Sequence, residues 1–127
     1  MADASALAEY LAAGEQLTQY RPHLRGSTLH VPEVCDVEVV SALRRAVLRR
    51  VMTTPQMREL LLAYAELPLQ RHRHLRLVGR AFELRDNFAP ADSFYVALAE
   101  RLEAPLLTAD RRLATATRRR TEVPVLP

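Results

Sequence analysis

The stretch that decides the fold reads ADSFYVALAERLEAPLLTADRR, from Ala91 to Arg112. Its apolar residues first recur at helical spacing and then run together in Pro-Leu-Leu-Thr-Ala, which predicts a helix followed by a short buried strand. Pro90 suits the first turn of that helix. An aspartate lies near each end of the stretch, Asp92 and Asp110, although the chain has only five aspartates. Their placement beside apolar segments asks for an explanation.

The rest of the chain alternates in the same way between amphipathic helices and short apolar strands. Helices are predicted over residues 4–14 with Gly14 as C-cap, 32–51 with Pro32 near the first turn, 54–67 with Thr54 as N-cap and Pro55 at the first helical position, 75–87, 90–103 and 110–119. A helix and turn are predicted over residues 15–26. Extended segments are predicted at 1–3, 28–32, 68–75, 105–109 and, as an edge strand, 121–126. This alternation favours an α/β fold with a central, mainly parallel sheet.

Composition indicates one domain spanning residues 1–127, with 49% hydrophobic residues. No apolar run is long enough to span a bilayer and no signal peptide is visible, so a soluble cytoplasmic protein is expected. All 18 basic residues are arginine. Such a surface suits nucleic acid or an acidic partner, although a GC-rich genome would also favour arginine. The absence of lysine excludes a Walker A nucleotide site.

Acidic residues are predicted to converge at one end of the sheet. Asp110 ends one strand and Asp3 ends the N-terminal one, so both point into the same crevice if those strands are neighbours. Asp92 heads the apolar face of its helix, and Glu38 heads a helical stripe that becomes basic at Arg45. Each acid taken singly also suits a helix cap, a first turn or an ion pair. Together, four carboxylates repel one another, and a hard divalent cation such as Mg²⁺ or Mn²⁺ would remove that conflict.

These segments resemble the PIN domain, and within it a VapC-type toxin ribonuclease. The resemblance is carried by ADAS, PEVCDVEVVSALRR and above all ADSFYVALAERLEAPLLTAD. It implies a three-layer α/β/α fold, a Mg²⁺ or Mn²⁺ site, and cleavage of tRNA or rRNA by a metal-activated water. It also implies a homodimer inhibited by a VapB-type antitoxin.

The family's acidic quartet falls on Asp3, Glu38, Asp92 and Asp110, with Glu38 binding directly or through water. Ser5 and Thr108 match hydroxyl residues that orient the carboxylates. Only Met1 and Ala2 precede Asp3, where family members have a longer apolar strand. We therefore expect the natural start codon to lie upstream.

Four arginines are candidates for holding RNA phosphates, with solvated or ion-paired side chains as the alternative: Arg45, Arg49, Arg111 and Arg112. Asp36 and Asp86 are expected to lie outside the metal site. His72 and His74 share one face of a possible strand, which is more typical of a basic, solvated strand than of a metal site. Two other functions stay open, namely a non-toxin nuclease in RNA processing and a catalytically silent RNA- or protein-binding module.

Overall fold

The computed structural model describes residues 1–13 and 28–126. Six helices are present in these ranges: α1 (Ala4–Ala13), α2 (Val34–Leu48), α3 (Thr54–Glu66), α4 (Val78–Glu83), α5 (Pro90–Leu102) and α6 (Arg111–Arg120). Four strands accompany them: β1 (Leu29–Pro32), β2 (Leu69–His72), β3 (Leu106–Leu107) and β4 (Val125–Leu126). The helix and turn predicted over residues 15–26, and the Gly14 cap, fall outside the described residues.

The strands form two parallel pairs, which the N-terminal residues join. In the first pair Leu29 of β1 lies opposite Leu69 of β2, and in the second Leu106 of β3 lies opposite Val125 of β4. Ala2 makes an isolated parallel bridge to Leu107. The Ala2 amide also donates to the carbonyl of His30 in β1, at 3.3 Å.

The strand order is therefore β4, β3, the segment 1–3, β1 and β2. The Asp3 amide donates to the Leu107 carbonyl at 2.9 Å, and the Leu107 amide donates to the Met1 carbonyl at 2.7 Å. The predicted N-terminal strand stub is present, and it lies beside β3. Asp3 and the segment that follows β3 consequently leave the sheet at the same end.

Helices cover the sheet in two groups, which confirms the three-layer α/β/α architecture. Helix α1 packs against α2 and α3, while α4 packs against α5, and α5 lies along β1 and β3. The core between them contains the fully buried side chains of Leu7, Val31, Val39, Leu98 and Leu106. None of the helices in the described ranges is both long and apolar enough to cross a membrane.

Three predicted helix boundaries are wrong. The N-cap of α3 is Thr53 rather than Thr54: its extended backbone lets its hydroxyl accept from the Gln56 amide, while the Gln56 side chain accepts from the Thr53 amide. Pro32 is the last residue of β1, where its missing N–H is tolerated, and the helix begins two residues later. The helix predicted over 75–87 is helical only at Val78–Glu83 and is flanked by turns.

Candidate active site

Asp3 is a buried carboxylate at the centre of a hydrogen-bond network. Its side chain is 4% exposed. One oxygen accepts from the Ser5 hydroxyl at 2.7 Å and from the Ala6 amide at 2.9 Å. The other oxygen accepts from the Thr108 hydroxyl at 2.5 Å. Burial raises the pKa of Asp3, and the charge of Asp110 adds to the rise, although the three hydrogen bonds oppose it.

The Ser5 and Thr108 hydroxyls also hold the segment that carries Asp110. The Ser5 oxygen accepts from the amides of Ala109 and Asp110, at 3.0 and 3.1 Å. The Thr108 oxygen accepts from the Asp110 amide at 3.0 Å. Each hydroxyl therefore donates to Asp3 and accepts from the strand-to-helix connection, which fixes the two acidic positions relative to each other.

Asp110 is the N-cap of α6. Its Oδ1 accepts from the amides of Arg112 and Leu113, at 2.7 and 3.3 Å. The capping role that the sequence allowed for this residue is thus present. Because a capping carboxylate is held at a helix N-terminus, its direction is fixed by the helix itself.

Asp92 lies in the first turn of α5, half-buried, above the buried side chains of Tyr95, Val96 and Ala99. This is the apolar face predicted from the sequence. The pKa of Asp92 is raised to about 6, chiefly by burial. Three neighbouring carboxylates add to the rise, in the order Asp110, Glu38 and Asp3. The four acids of the predicted quartet therefore lie within electrostatic reach of one another.

Glu38 brings a buried oxygen without a partner to this cluster. Its Oε1 is buried and has no hydrogen-bond partner in the described part of the chain. Burial raises the pKa of Glu38 and the charge of Asp3 adds to the rise, whereas the Tyr95 hydroxyl and the Arg45 charge lower it. An unpartnered buried carboxylate oxygen is costly, so it marks a place where a ligand would be stabilised.

Tyr95 is a neighbour of the cluster that the sequence interpretation treated only as an apolar residue. Its hydroxyl lies near Glu38 and Cys35, yet it is buried and makes no hydrogen bond to a described residue. The available signal was its position three residues after Asp92, on the same helical face.

The donor set suits a hard divalent cation. The four side chains offer oxygen donors alone, burial and neighbouring carboxylates raise the pKa values of Asp3, Glu38 and Asp92, and one Glu38 oxygen is buried without a partner among the described residues. Across residues 1–13 and 28–126, however, no three His, Cys, Asp or Glu side chains are close enough to hold one ion between them. The carboxylates converge without forming a finished coordination cage.

The four candidate arginines are exposed and lie at two places around the cluster. Arg45 is close enough to Glu38 to lower its pKa, and Arg49 follows one turn later at the end of α2. Arg111 and Arg112 open α6 directly after Asp110, where they line an open groove of about 600 Å³.

Neither of the two remaining aspartates contributes to the raised pKa values of Asp3, Glu38 and Asp92. Asp36 forms an ion pair with Arg71 at 2.9 Å and accepts from the Tyr64 hydroxyl at 2.6 Å. Asp86 is exposed in the turn after α4. Both were expected to lie outside the metal site.

His72 ends β2 and His74 follows it, beside the exposed arginines Arg71 and Arg73. The two imidazoles are half-buried. His72 Nε2 lies 2.8 Å from His30 Nδ1 across the β1–β2 pair. His74 Nε2 accepts from the Val34 amide at 2.9 Å, which satisfies a free donor at the start of α2. These contacts depend on the pairing of β1 with β2, which local sequence patterns do not predict.

Comparison with known proteins agrees with this architecture. The PIN domain family matches residues 1–118. Ribonuclease VapC12 of Mycobacterium tuberculosis is 38% identical over 112 residues, which are 88% of this chain and 87% of the relative. Ribonuclease VapC1 of the same organism is 41% identical over 116 residues, covering 90% and 87%.

A similar fold is found in the crystal structure of PAE2754 from Pyrobaculum aerophilum. It has a TM-score of 0.62 and 19% identity, and the match covers 98% of this chain and 80% of that one. At this identity the likeness concerns the fold alone. The family match and the two relatives show that this chain is a member of the PIN-domain family, related in sequence to VapC ribonucleases.

Proposed function

We propose that this protein is a divalent-metal-dependent endoribonuclease, acting in the cytoplasm as the toxin of a VapBC-type toxin–antitoxin pair. Membership of the PIN-domain family and relatives named VapC ribonucleases support the proposal. The observation that carries it is the convergence of four carboxylates, seen in the pKa of Asp92, which burial and the charges of Asp110, Glu38 and Asp3 raise to about 6.

The acids divide into roles by their position. Asp3, Asp92 and Asp110 would hold Mg²⁺ or Mn²⁺ directly, and Glu38 would bind it directly or through water. The bound ion would lower the pKa of a water molecule that it holds. Its own positive charge would stabilise the phosphate oxygens. Ser5 and Thr108 hold Asp3 in place, so they act as positioning residues. Arg45 places a positive charge beside the acids, where a phosphate would approach.

The partners follow from the same proposal. The substrate is RNA, with tRNA and rRNA as the candidates, and the inhibitor is a VapB-type antitoxin. We also propose that the protein acts as a homodimer.

Two Asp→Asn variants provide the first test. Asp92→Asn is expected to abolish Mg²⁺-dependent cleavage of RNA, because it removes a charge from the centre of the cluster. Asp36→Asn is the matched control, since Asp36 is bound to Arg71 outside the cluster. Circular dichroism checks that both variants are folded. Full cleavage by Asp92→Asn, or cleavage by the wild type that persists in EDTA, would contradict the proposal.

Expression in bacteria separates a toxin from a nuclease of RNA processing. Induction of the wild type is expected to arrest growth, and Asp110→Asn is expected to remove the arrest. Asparagine also serves as an N-cap, so this variant keeps the start of α6. Normal growth on induction, together with RNA cleavage in vitro, would favour the processing nuclease. Binding of RNA without cleavage would favour the silent module.

A further inference from the structure

A basic groove runs beside α6, next to the proposed active site. It has a volume of about 600 Å³, and four arginines, Arg111, Arg112, Arg119 and Arg120, line it together with the turn residues Asp86 and Asn87. The groove lining holds four arginines and one aspartate, so its net charge is +3. Within the described part of the chain, none of the four guanidinium groups forms an ion pair.

The arginines form two cationic pairs at opposite ends of the helix. Residues 111–112 and 119–120 are eight positions apart, which corresponds to about 12 Å along an α-helix. A single phosphate group is too small to reach both pairs. A chain of phosphates, such as an RNA backbone, can contact both.

One end of the groove is lined by the residues that directly follow Asp110 in the chain. Asp110 is the N-cap of α6, and the first arginine pair follows it directly. A strand whose phosphate lies at the carboxylates would therefore pass Arg111 and Arg112 before it reaches Arg119 and Arg120. The groove lining described by the structure contains no aromatic ring on which a base could stack, whereas its arginines can bind phosphates.

We infer that the α6 groove holds the RNA backbone on one side of the scissile phosphate, between the two arginine pairs. This inference rests on the proposed nuclease function and extends it. It predicts that several nucleotides of RNA on that side take part in binding, and that distant phosphates add to the affinity.

The test is a binding measurement on the Asp92→Asn protein, which separates binding from cleavage. The double variant Arg119→Gln, Arg120→Gln removes the far pair. The control Arg58→Gln, Arg73→Gln removes the same charge from exposed positions outside the groove, since Arg58 lies on α3 and Arg73 follows β2. Affinity is measured by fluorescence anisotropy with labelled single-stranded RNAs of three and twelve nucleotides over a series of salt concentrations.

The groove variant is expected to bind the twelve-nucleotide RNA at least about tenfold more weakly, because it loses two charge-assisted contacts. The slope of log affinity against log salt should shrink by about 1.4, at about 0.7 for each phosphate contact on a single strand. The three-nucleotide RNA should show little change. The control should behave like the parent protein.

Three results would overturn the inference: equal losses in the groove variant and the control, no loss in the groove variant, or equal losses for both RNA lengths. Unchanged RNA binding with lost inhibition by an antitoxin would also overturn it and assign the groove to a protein partner. Failure of the nuclease proposal is separate, since it would appear as a wild type that binds RNA without cleaving it.

Discussion

The Thr108 hydroxyl donates a 2.5 Å hydrogen bond to the buried Asp3 carboxylate, across a separation of 105 residues. Thr108 follows β3, and Asp3 ends the N-terminal strand segment that pairs with β3. The parallel pairing of the two segments is what brings these side chains together. Through this hydrogen bond, the order of the strands helps to fix the position of Asp3, a candidate metal ligand.

Replacing Thr108 by valine should destabilise the protein and impair catalysis. The change removes a donor from a buried carboxylate, which costs about 1 to 3 kcal/mol in the free energy of unfolding. Loss of a residue that orients a metal ligand should also lower Mg²⁺-dependent cleavage by about tenfold or more. Urea unfolding and a fluorescent RNA cleavage assay measure the two effects. Thr54→Val is the control, because Thr54 is exposed on α3. Equal behaviour of the two variants would contradict the positioning role.

Asp92 should make the metal-free protein less stable as the pH rises. Its pKa is about 6 in the folded protein, against an ordinary value of 3.8. The folded state therefore binds more protons between these values, and its stability is lost as the pH rises through this window. Each pKa unit corresponds to about 1.4 kcal/mol, and solvent screening of a half-buried group reduces the total to about 1 to 2 kcal/mol.

Unfolding free energies in EDTA from pH 4 to pH 7 measure this effect. Relative to the wild type, Asp92→Asn should become progressively more stable across the window. Glu59→Gln, at an exposed position on α3, should run parallel to the wild type. A constant difference between Asp92→Asn and the wild type over the whole range would contradict the prediction.

Two tyrosines provide a matched pair of hydroxyl deletions. Tyr64 donates to Asp36 at 2.6 Å, so Tyr64→Phe should lower the free energy of unfolding by about 1 to 2 kcal/mol. The Tyr95 hydroxyl is buried and has no hydrogen-bond partner among described residues. Tyr95→Phe should therefore lower the free energy of unfolding by less than Tyr64→Phe does. Chemical denaturation of both variants measures their free energies of unfolding. A larger decrease for Tyr95→Phe than for Tyr64→Phe would contradict the prediction.

The ion pair between Arg71 and Asp36 should contribute little to stability and nothing to cleavage. Both side chains are more than a third exposed, at 38% and 42%, so the coupling is expected below about 1 kcal/mol. Arg71 lowers the pKa of Asp36, so this contribution is present above the ordinary pKa of an aspartate and is lost as the pH falls. A double-mutant cycle with Arg71→Gln and Asp36→Asn at low and high salt measures it. A coupling that does not weaken with salt would show that the pair is more shielded than its exposure indicates.

Local patterns were enough to predict most of the helices and the position of the acids in them. Helical spacing placed Asp92 above the apolar face of α5, and the apolar run before Asp110 identified β3. The ends of helices were harder to predict where two neighbouring residues could both act as the cap. Thr53 and Thr54 are both capable caps, and only the extended backbone of Thr53 made it the N-cap.

Contacts between distant segments lay beyond the sequence pattern. The hydroxyl bridge from Ser5 and Thr108 to Asp3 and Asp110 depends on the pairing of Ala2 with Leu107. The approach of His72 to His30 depends on the register of β1 and β2. Neither pairing leaves a periodic signal, because each joins residues that are far apart in the chain.

The sequence by itself determined the kinds of element, the family resemblance and the four acids, because helical and strand periodicity and capping are local properties of a few neighbouring residues. The tertiary structure alone decided that burial and neighbouring charges raise the pKa values of Asp3, Glu38 and Asp92, that hydroxyls hold Asp3 and Asp110 together, and that four arginines line one groove. Such relationships exist only when strands pair across long loops, since burial and charge proximity are properties of the packed chain.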